Sequence, residues 1–100
     1  MHEHARQVAS LMGHLSNENR LIILCVLLDR PMTVQEIAPY VPDISMPALS
    51  QHLHRLKDAG LVSAEKHAQF VQYAIADTRL EKLMALLREE YCEGTPDFTH

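Results

Sequence analysis

The segment Leu21-Ile22-Ile23-Leu24-Cys25-Val26-Leu27-Leu28 contains no polar side chain. Ser16 ahead of it is a helix N-cap residue, and Arg30-Pro31 behind it ends the run. The spacing therefore predicts a helix from Ser16 through Asp29 that is apolar around its whole girth, and such a helix has to be the buried centre of its domain. At eight residues the run is far short of the ~20 that span a bilayer. The chain of 100 residues has room for one domain around that centre, since domains run to about 100–200 residues. Residues 1–93 are expected to form it. Glu93-Gly94-Thr95-Pro96-Asp97 reads as a stop, with 94–100 a flexible tail. A domain this small buries a modest share of its surface, which favours a homodimer over a marginal monomer.

Cysteine usage and the N-terminus bound the compartment. Two cysteines are too few for a disulfide scaffold, and Met1-His2-Glu3-His4 has no cationic region leading into an apolar one. The expected location is a reducing cytoplasm, with no membrane partner.

Punctuation along the chain gives the remaining elements. Val8, Leu11, Met12 and Leu15 recur at helical spacing and predict a first helix over about Glu3–Met12. Thr33-Val34-Gln35-Glu36 is a capping box opening a short helix from Val34 to about Tyr40. Val41-Pro42-Asp43 breaks it. Ser45 caps the next helix, Pro47 sits in its first turn where a missing N–H costs nothing, and Gly60 stops it after Ala59. In that helix Leu49, His52, Leu53 and Leu56 face inward, while Pro47, Ser50, Gln51, His54 and Arg55 lie largely on the outer face. Leu61–Lys66 and Phe70–Ala76 are two strands joined by His67-Ala68-Gln69. A last helix runs from Asp77 or Thr78 to about Cys92. Its stripe of Leu80, Leu83, Met84, Leu87 and Tyr91 is the expected dimer surface. The fold class is mainly α with a small β-hairpin, in the order α-α-α-α-β-β-α. That is a winged helix-turn-helix with a helix added at each end.

The charge is not spread evenly along the chain. The formal net charge is −4, which argues against a nonspecific nucleic-acid coat. Residues 44–75, however, carry Arg55, Lys57 and Lys66 against Asp58 and Glu65, a balance of +1, and they also hold His52, His54 and His67. Phosphate contacts, if the chain makes them, belong there, while ordinary charge scatter fits the same balance equally well. A recognition helix must be held by its inner leucines while its N-terminal residues reach base edges. Ser50 offers a hydroxyl that bonds in either sense, and Gln51 a carboxamide that pairs bidentately with adenine. His54 is exposed and within reach of phosphate, though a solvated histidine fits equally well. His52 reads as a packed structural histidine.

Leu49-Ser50-Gln51-His52-Leu53, with Leu56-Lys57-Asp58-Ala59-Gly60-Leu61-Val62, resembles the recognition-helix signature of the ArsR/SmtB family of bacterial repressors. Leu15-Ser16-Asn17-Glu18-Asn19-Arg20-Leu21-Ile22-Ile23-Leu24 resembles that family's second-helix signature, and the likeness extends over roughly residues 8–92. It implies a homodimer pairing through its first and last helices, bound to double-stranded operator DNA until an inducer releases it. It also implies that Pro47, Ser50 and Gln51 approach the major groove and that His67–Gln69, including His67 and Gln69 themselves, form the wing. Met46 and Pro47 depart from the polar pair often found there, so base preference does not carry over.

The inducer class rests on the ligand inventory. The third helix, Val34-Gln35-Glu36-Ile37-Ala38, lacks the paired cysteines of arsenic and cadmium sensors, and the last helix has no histidine for the family's interhelical zinc site. No metal site or cofactor is expected. Taken alone, Cys25 is an inert core thiol. Cys92, among acidic residues, is the more accessible thiol with its reactivity dulled. A cysteine in each of these two places, with Tyr91 and Ala68-Gln69 around them, resembles the BigR/SqrR-like branch that senses reactive sulfur. That resemblance implies Cys25 and Cys92 as sensing thiols and small persulfides as inducer. A metal- or metalloid-responsive repressor and an effector-independent winged-helix module binding DNA or protein stay open as alternatives. An enzyme does not fit: a nucleophilic Cys92 needs a base, and no histidine is placed by sequence to serve it.

Overall fold

A computed structural model describes residues 2–92, so Glu93 and the expected tail at 94–100 lie outside the described residues. The elements are α1 (His2–Leu15), α2 (Glu18–Leu27), α3 (Val34–Ile37), a 3-10 turn (Ala38–Tyr40), α4 (Met46–Asp58), β1 (Val62–His67), β2 (Phe70–Ile75) and α5 (Thr78–Cys92). The expected order of elements holds.

The boundaries differ where a local hydrogen bond decides them. Asn17, not Ser16, caps α2: its side chain accepts from the Arg20 amide at 3.0 Å, while Ser16 Oγ donates back to the Gly13 carbonyl at 2.8 Å. Ser16 thus finishes α1, which runs to Leu15 rather than Met12. α2 stops at Leu27 rather than Asp29, because Leu28 and Asp29 donate to Cys25 and Val26, three residues back, in a tightened last turn. The short helix also divides. Pro39 has no N–H for the α-helical ladder, so the backbone continues as a 3-10 turn in which Val41 donates to Ala38. The Thr33–Glu36 capping box and the Ser45 cap are both formed.

The core gathers around α2 as its composition requires. Ile23, Leu24, Cys25, Val26 and Leu27 are buried together with Ile37, Val41, Leu49, Leu53, Leu56, Leu61, Val62, Leu80 and Met84. No polar or charged residue is buried among the described residues. β1 and β2 pair antiparallel from Val62–Ile75 to His67–Phe70, which leaves a two-residue turn, Ala68-Gln69, one shorter than the sequence suggests. Met32 exchanges two backbone hydrogen bonds with Tyr73, at 2.9 and 2.7 Å, and so ties the chain entering α3 to the hairpin.

α5 corrects the expected dimer stripe. Leu80 and Met84 are both 0% exposed, and Leu83 and Leu87 pack partly against the same core. A helix closing a domain this small spends its apolar stripe on the protomer's own interior. The large apolar side chains left on the surface of the two end helices are Val8 and Met12 on α1 and Leu86 and Tyr91 on α5.

Candidate nucleic-acid interface

Three leucines and two caps fix α4. Leu49, Leu53 and Leu56 anchor its inner face, each no more than 1% exposed. At its start Ser45 Oγ accepts from the Ala48 amide at 3.2 Å. At its end Gly60, with φ 78°, donates to the Lys57 carbonyl while Leu61 donates to the Leu56 carbonyl, both at 2.9 Å. This double closure requires a left-handed residue at position 60 and buries Leu61 over Leu56. It passes the chain directly from α4 into the hairpin, so helix and wing are positioned by one joint.

With the inner face fixed, the outer face follows from the helical period. Pro47, Ser50, Gln51, His54 and Arg55 are all exposed, and none of them makes a side-chain hydrogen bond or ion pair among the described residues. Their donors and acceptors are available to a ligand. Arg55 and Lys57 place positive charge in the last turn.

His52 is half-buried rather than packed inside. Burial, and then the charges of Arg20 and Arg55, hold its pKa below the ordinary histidine value. It therefore stays neutral near neutral pH. Arg20 itself reaches toward the first helix, with Nη1 3.4 Å from His14 Nδ1.

The wing is less uniform than the sequence suggests. Lys66, Ala68 and Gln69 are exposed. His67, by contrast, stacks on Phe70 with ring centroids 4.8 Å apart and lies 3.5 Å from the Glu65 carboxylate. The ring faces its own hairpin, apart from the outward row on α4.

The two cysteines occupy the ends of a second constellation. Cys25 is 1% exposed in α2; Cys92 is the last residue of α5, and its side chain lies outside the described residues. Between α2 and α5 runs an ion pair that nothing in the sequence signals: Arg88 Nη1 donates to Asp29 Oδ1 at 2.9 Å. That hydrogen bond, with the Asp29 charge and the Cys25 sulfur adding to it, holds the guanidinium above its ordinary pKa against the opposing effect of burial. Among the described residues no group of three His, Cys, Asp or Glu side chains is disposed to hold a metal ion, and no helix is long and apolar enough to cross a membrane.

Residues 17–64, which carry α2, the helix-turn-helix and the start of the hairpin, match the family model described as bacterial regulatory protein, arsR family. The transcriptional activator HlyU of Vibrio cholerae is 38% identical over 94% of this chain and 86% of its own length. Solved structures of HlyU, one of them of the reduced protein, superpose with a TM-score of 0.85 at 38% identity, covering 92% of this chain and 99% or 96% of theirs. The transcriptional repressor BigR of Xylella fastidiosa superposes with a TM-score of 0.82 at 28% identity, covering 92% and 93%. The homodimeric winged helix-turn-helix DNA-binding domain of Mb0332 from Mycobacterium bovis does so with 0.75 at 31% identity, covering 89% and 82%. These relatives are regulators rather than enzymes. With its capped recognition helix, its hairpin wing and these likenesses along nearly the whole chain, the protein belongs to the ArsR family of winged helix-turn-helix, DNA-binding transcriptional regulators.

Proposed function

We propose that the protein is a cytoplasmic, homodimeric repressor that lets go of its operator when Cys25 and Cys92 are joined through sulfur. The observation that carries the DNA half is the row Pro47, Ser50, Gln51, His54 and Arg55, exposed on a helix whose opposite face is anchored by three buried leucines. Gln69 at the wing tip adds a backbone-side contact, and His67 contributes through its stack on Phe70. The dimer is supported by the exposed Val8, Met12, Leu86 and Tyr91 on the two end helices and by the homodimeric Mb0332 domain. Two recognition helices then address half-sites about 34 Å apart.

The thiol half is supported by the position of Cys25 in the central helix and Cys92 at the end of α5, which packs on it. The Cys92 thiolate attacks the outer sulfur of an organic persulfide, RS–SH. That S–S bond breaks, RS⁻ leaves and Cys92 carries –SSH. Cys25, buried from bulky donors, takes this outer sulfur from Cys92 by the same exchange, and Cys92 is then recharged by a second donor. Attack of the Cys25 persulfide anion on the inner sulfur of the Cys92 persulfide forms a trisulfide and expels HS⁻. No external oxidant is consumed. A bridge between α2 and α5 links the core helix to the dimer surface, and a coupling of ~1–3 kcal/mol changes affinity by about 5–150-fold.

The burial of Cys25 favours a second reading, an effector-independent repressor with an incidental core thiol. Operator binding and intact mass after treatment with a persulfide donor separate the two. The sulfur switch requires release together with one bridge per subunit that retains added sulfur, reversed by dithiothreitol. Cys25→Ser and Cys92→Ser should each bind DNA and ignore the donor. A Cys25→Ser protein that still releases DNA rejects the pair mechanism.

A further inference from the structure

We infer that Arg88 is a positioning residue of the sulfur switch, its guanidinium tethered by Asp29 so that it favours the thiolate of Cys25. The inference rests on the thiol reading above and adds to it the group that makes a buried sulfur nucleophilic.

The geometry comes from two helices. Asp29 follows Cys25 by four residues and extends from the tightened end of α2, so the two stand one helical turn apart. Arg88 precedes Cys92 by four residues on α5, again one turn. The 2.9 Å bond between Arg88 and Asp29 therefore crosses the interface between α2 and α5 one turn from each cysteine. Cys25 lies one turn before Asp29, so the guanidinium held by Asp29 also stands near the Cys25 sulfur, which adds to the effects that keep it charged. Its side chain is 29% exposed, so it is partly withdrawn from water, where a fixed cation acts more strongly. An ion pair on open surface contributes little to stability; one placed against a thiol acts on that thiol's ionisation.

A thiolate, not a thiol, is the nucleophile in sulfur transfer. Burial opposes ionisation at a position 1% exposed, so a compensating cation is needed for Cys25 to attack. In that step the Cys25 thiolate takes the outer sulfur of the Cys92 persulfide, the S–S bond of that persulfide breaks, and Cys92 leaves as thiolate. Arg88 stays protonated throughout. Asp29 competes for the same guanidinium and sets how much of its field the sulfur receives. The other elements packed on α2 bring His14 from α1, which sits against Arg20, Tyr40 from the 3-10 turn, exposed, and Tyr73 from β2, half-buried.

In full-length protein carrying Cys92→Ser, Cys25 is the single thiol, and its ionisation is read as thiolate ultraviolet absorbance against pH. The protein with both cysteines replaced by serine is the blank for the tyrosines. Arg88→Gln should raise the midpoint by about one pH unit or more, roughly a tenfold loss of thiolate below it, and Arg88→Lys should recover part of that shift. Asp29→Asn should lower the midpoint, because it releases the guanidinium and removes a nearby anion. A merely structural ion pair would loosen the same contact in both variants and move both midpoints the same way. The inference is overturned by an unmoved midpoint in folded Arg88→Gln, by a raised one in Asp29→Asn, or by no thiolate signal anywhere in the folded range. If Arg88→Gln does not fold, the sign for Asp29→Asn decides alone. The switch fails separately: wild-type protein that keeps its operator under a persulfide donor rejects the switch while the opposed midpoint shifts still stand.

Discussion

Gly60 offers a clean perturbation, because a methyl group added there meets nothing. Apart from the adjoining residues, a Cβ at Gly60 would have no heavy atom within 4 Å among the described residues, and the same holds at Gly13 apart from the backbone of its own helix. The two positions differ in backbone: Gly60 has φ +78°, whereas Gly13 lies inside α1. Replacing Gly60 with alanine therefore costs only the left-handed conformation, about 1–2 kcal/mol. Reduced freedom of the unfolded chain returns about 0.4–1 kcal/mol. The net expectation is a loss of roughly 0.5–1 kcal/mol at Gly60. Gly13→Ala should instead gain up to about 1 kcal/mol from helix propensity. Gly60→Asn should fall nearer to wild type, since asparagine tolerates the left-handed region. Urea unfolding at one fixed protomer concentration measures all three, the concentration being held because a dimer's stability depends on it. A Gly60→Ala protein as stable as Gly13→Ala would refute the argument that the helix-to-wing joint is held by backbone conformation. Loss of operator affinity beyond the loss of stability would show in addition that this joint sets the angle between α4 and the hairpin.

Gln51→Ala and Ser50→Ala should each weaken operator binding by ~1–3 kcal/mol and relax base choice, whereas Arg55→Ala should weaken specific and random DNA alike with a shallower salt slope; equal losses on both DNAs for Gln51→Ala remove it from base reading. His52 prefers its neutral form when folded, because burial and then Arg20 and Arg55 depress its pKa. The unfolded chain binds the proton more readily, so stability should be full above the ordinary histidine value of 6.5 and decline as pH falls below it. His52→Gln should flatten that decline in urea unfolding across mildly acidic pH, and an unchanged slope would refute it. Leu86→Glu, at a side chain 53% exposed, should give folded monomers in sedimentation with weakened DNA binding; Leu83→Glu, packed partly on the core, should lower stability first. A dimeric Leu86→Glu protein would move the interface off this face of α5.

What the sequence discloses and what it hides divide along the range of the interactions. Caps and stops act over three or four residues, so Thr33 with Glu36, Ser45 and Gly60 are legible as written, and the outward placement of Ser50 and Gln51 follows from the helical period once Leu49, Leu53 and Leu56 are taken as inner. Ser16 and Asn17 are both good caps, and only the backbone they meet decides between them: Ser16 Oγ finds the Gly13 carbonyl and Asn17 takes the Arg20 amide. Pro39 was equally visible, but its effect was to change the type of helix rather than to end it. The α5 stripe fails for a different reason. Leu80, Leu83, Met84 and Leu87 are chemically alike, and a helical period puts them on one face, with Leu86 off it, without saying which neighbour covers that face. The protomer's own core takes Leu80 and Met84 fully and Leu83 and Leu87 in part, which leaves Leu86 out. Arg88 and Asp29, 59 residues apart, carry no local signal either, since each reads as an ordinary charge near a helix end. The thiol chemistry proposed for this chain depends on that unsignalled pair as much as on the cysteines. A buried sulfur without a cation beside it is inert core, and the cation comes from the opposite end of the sequence.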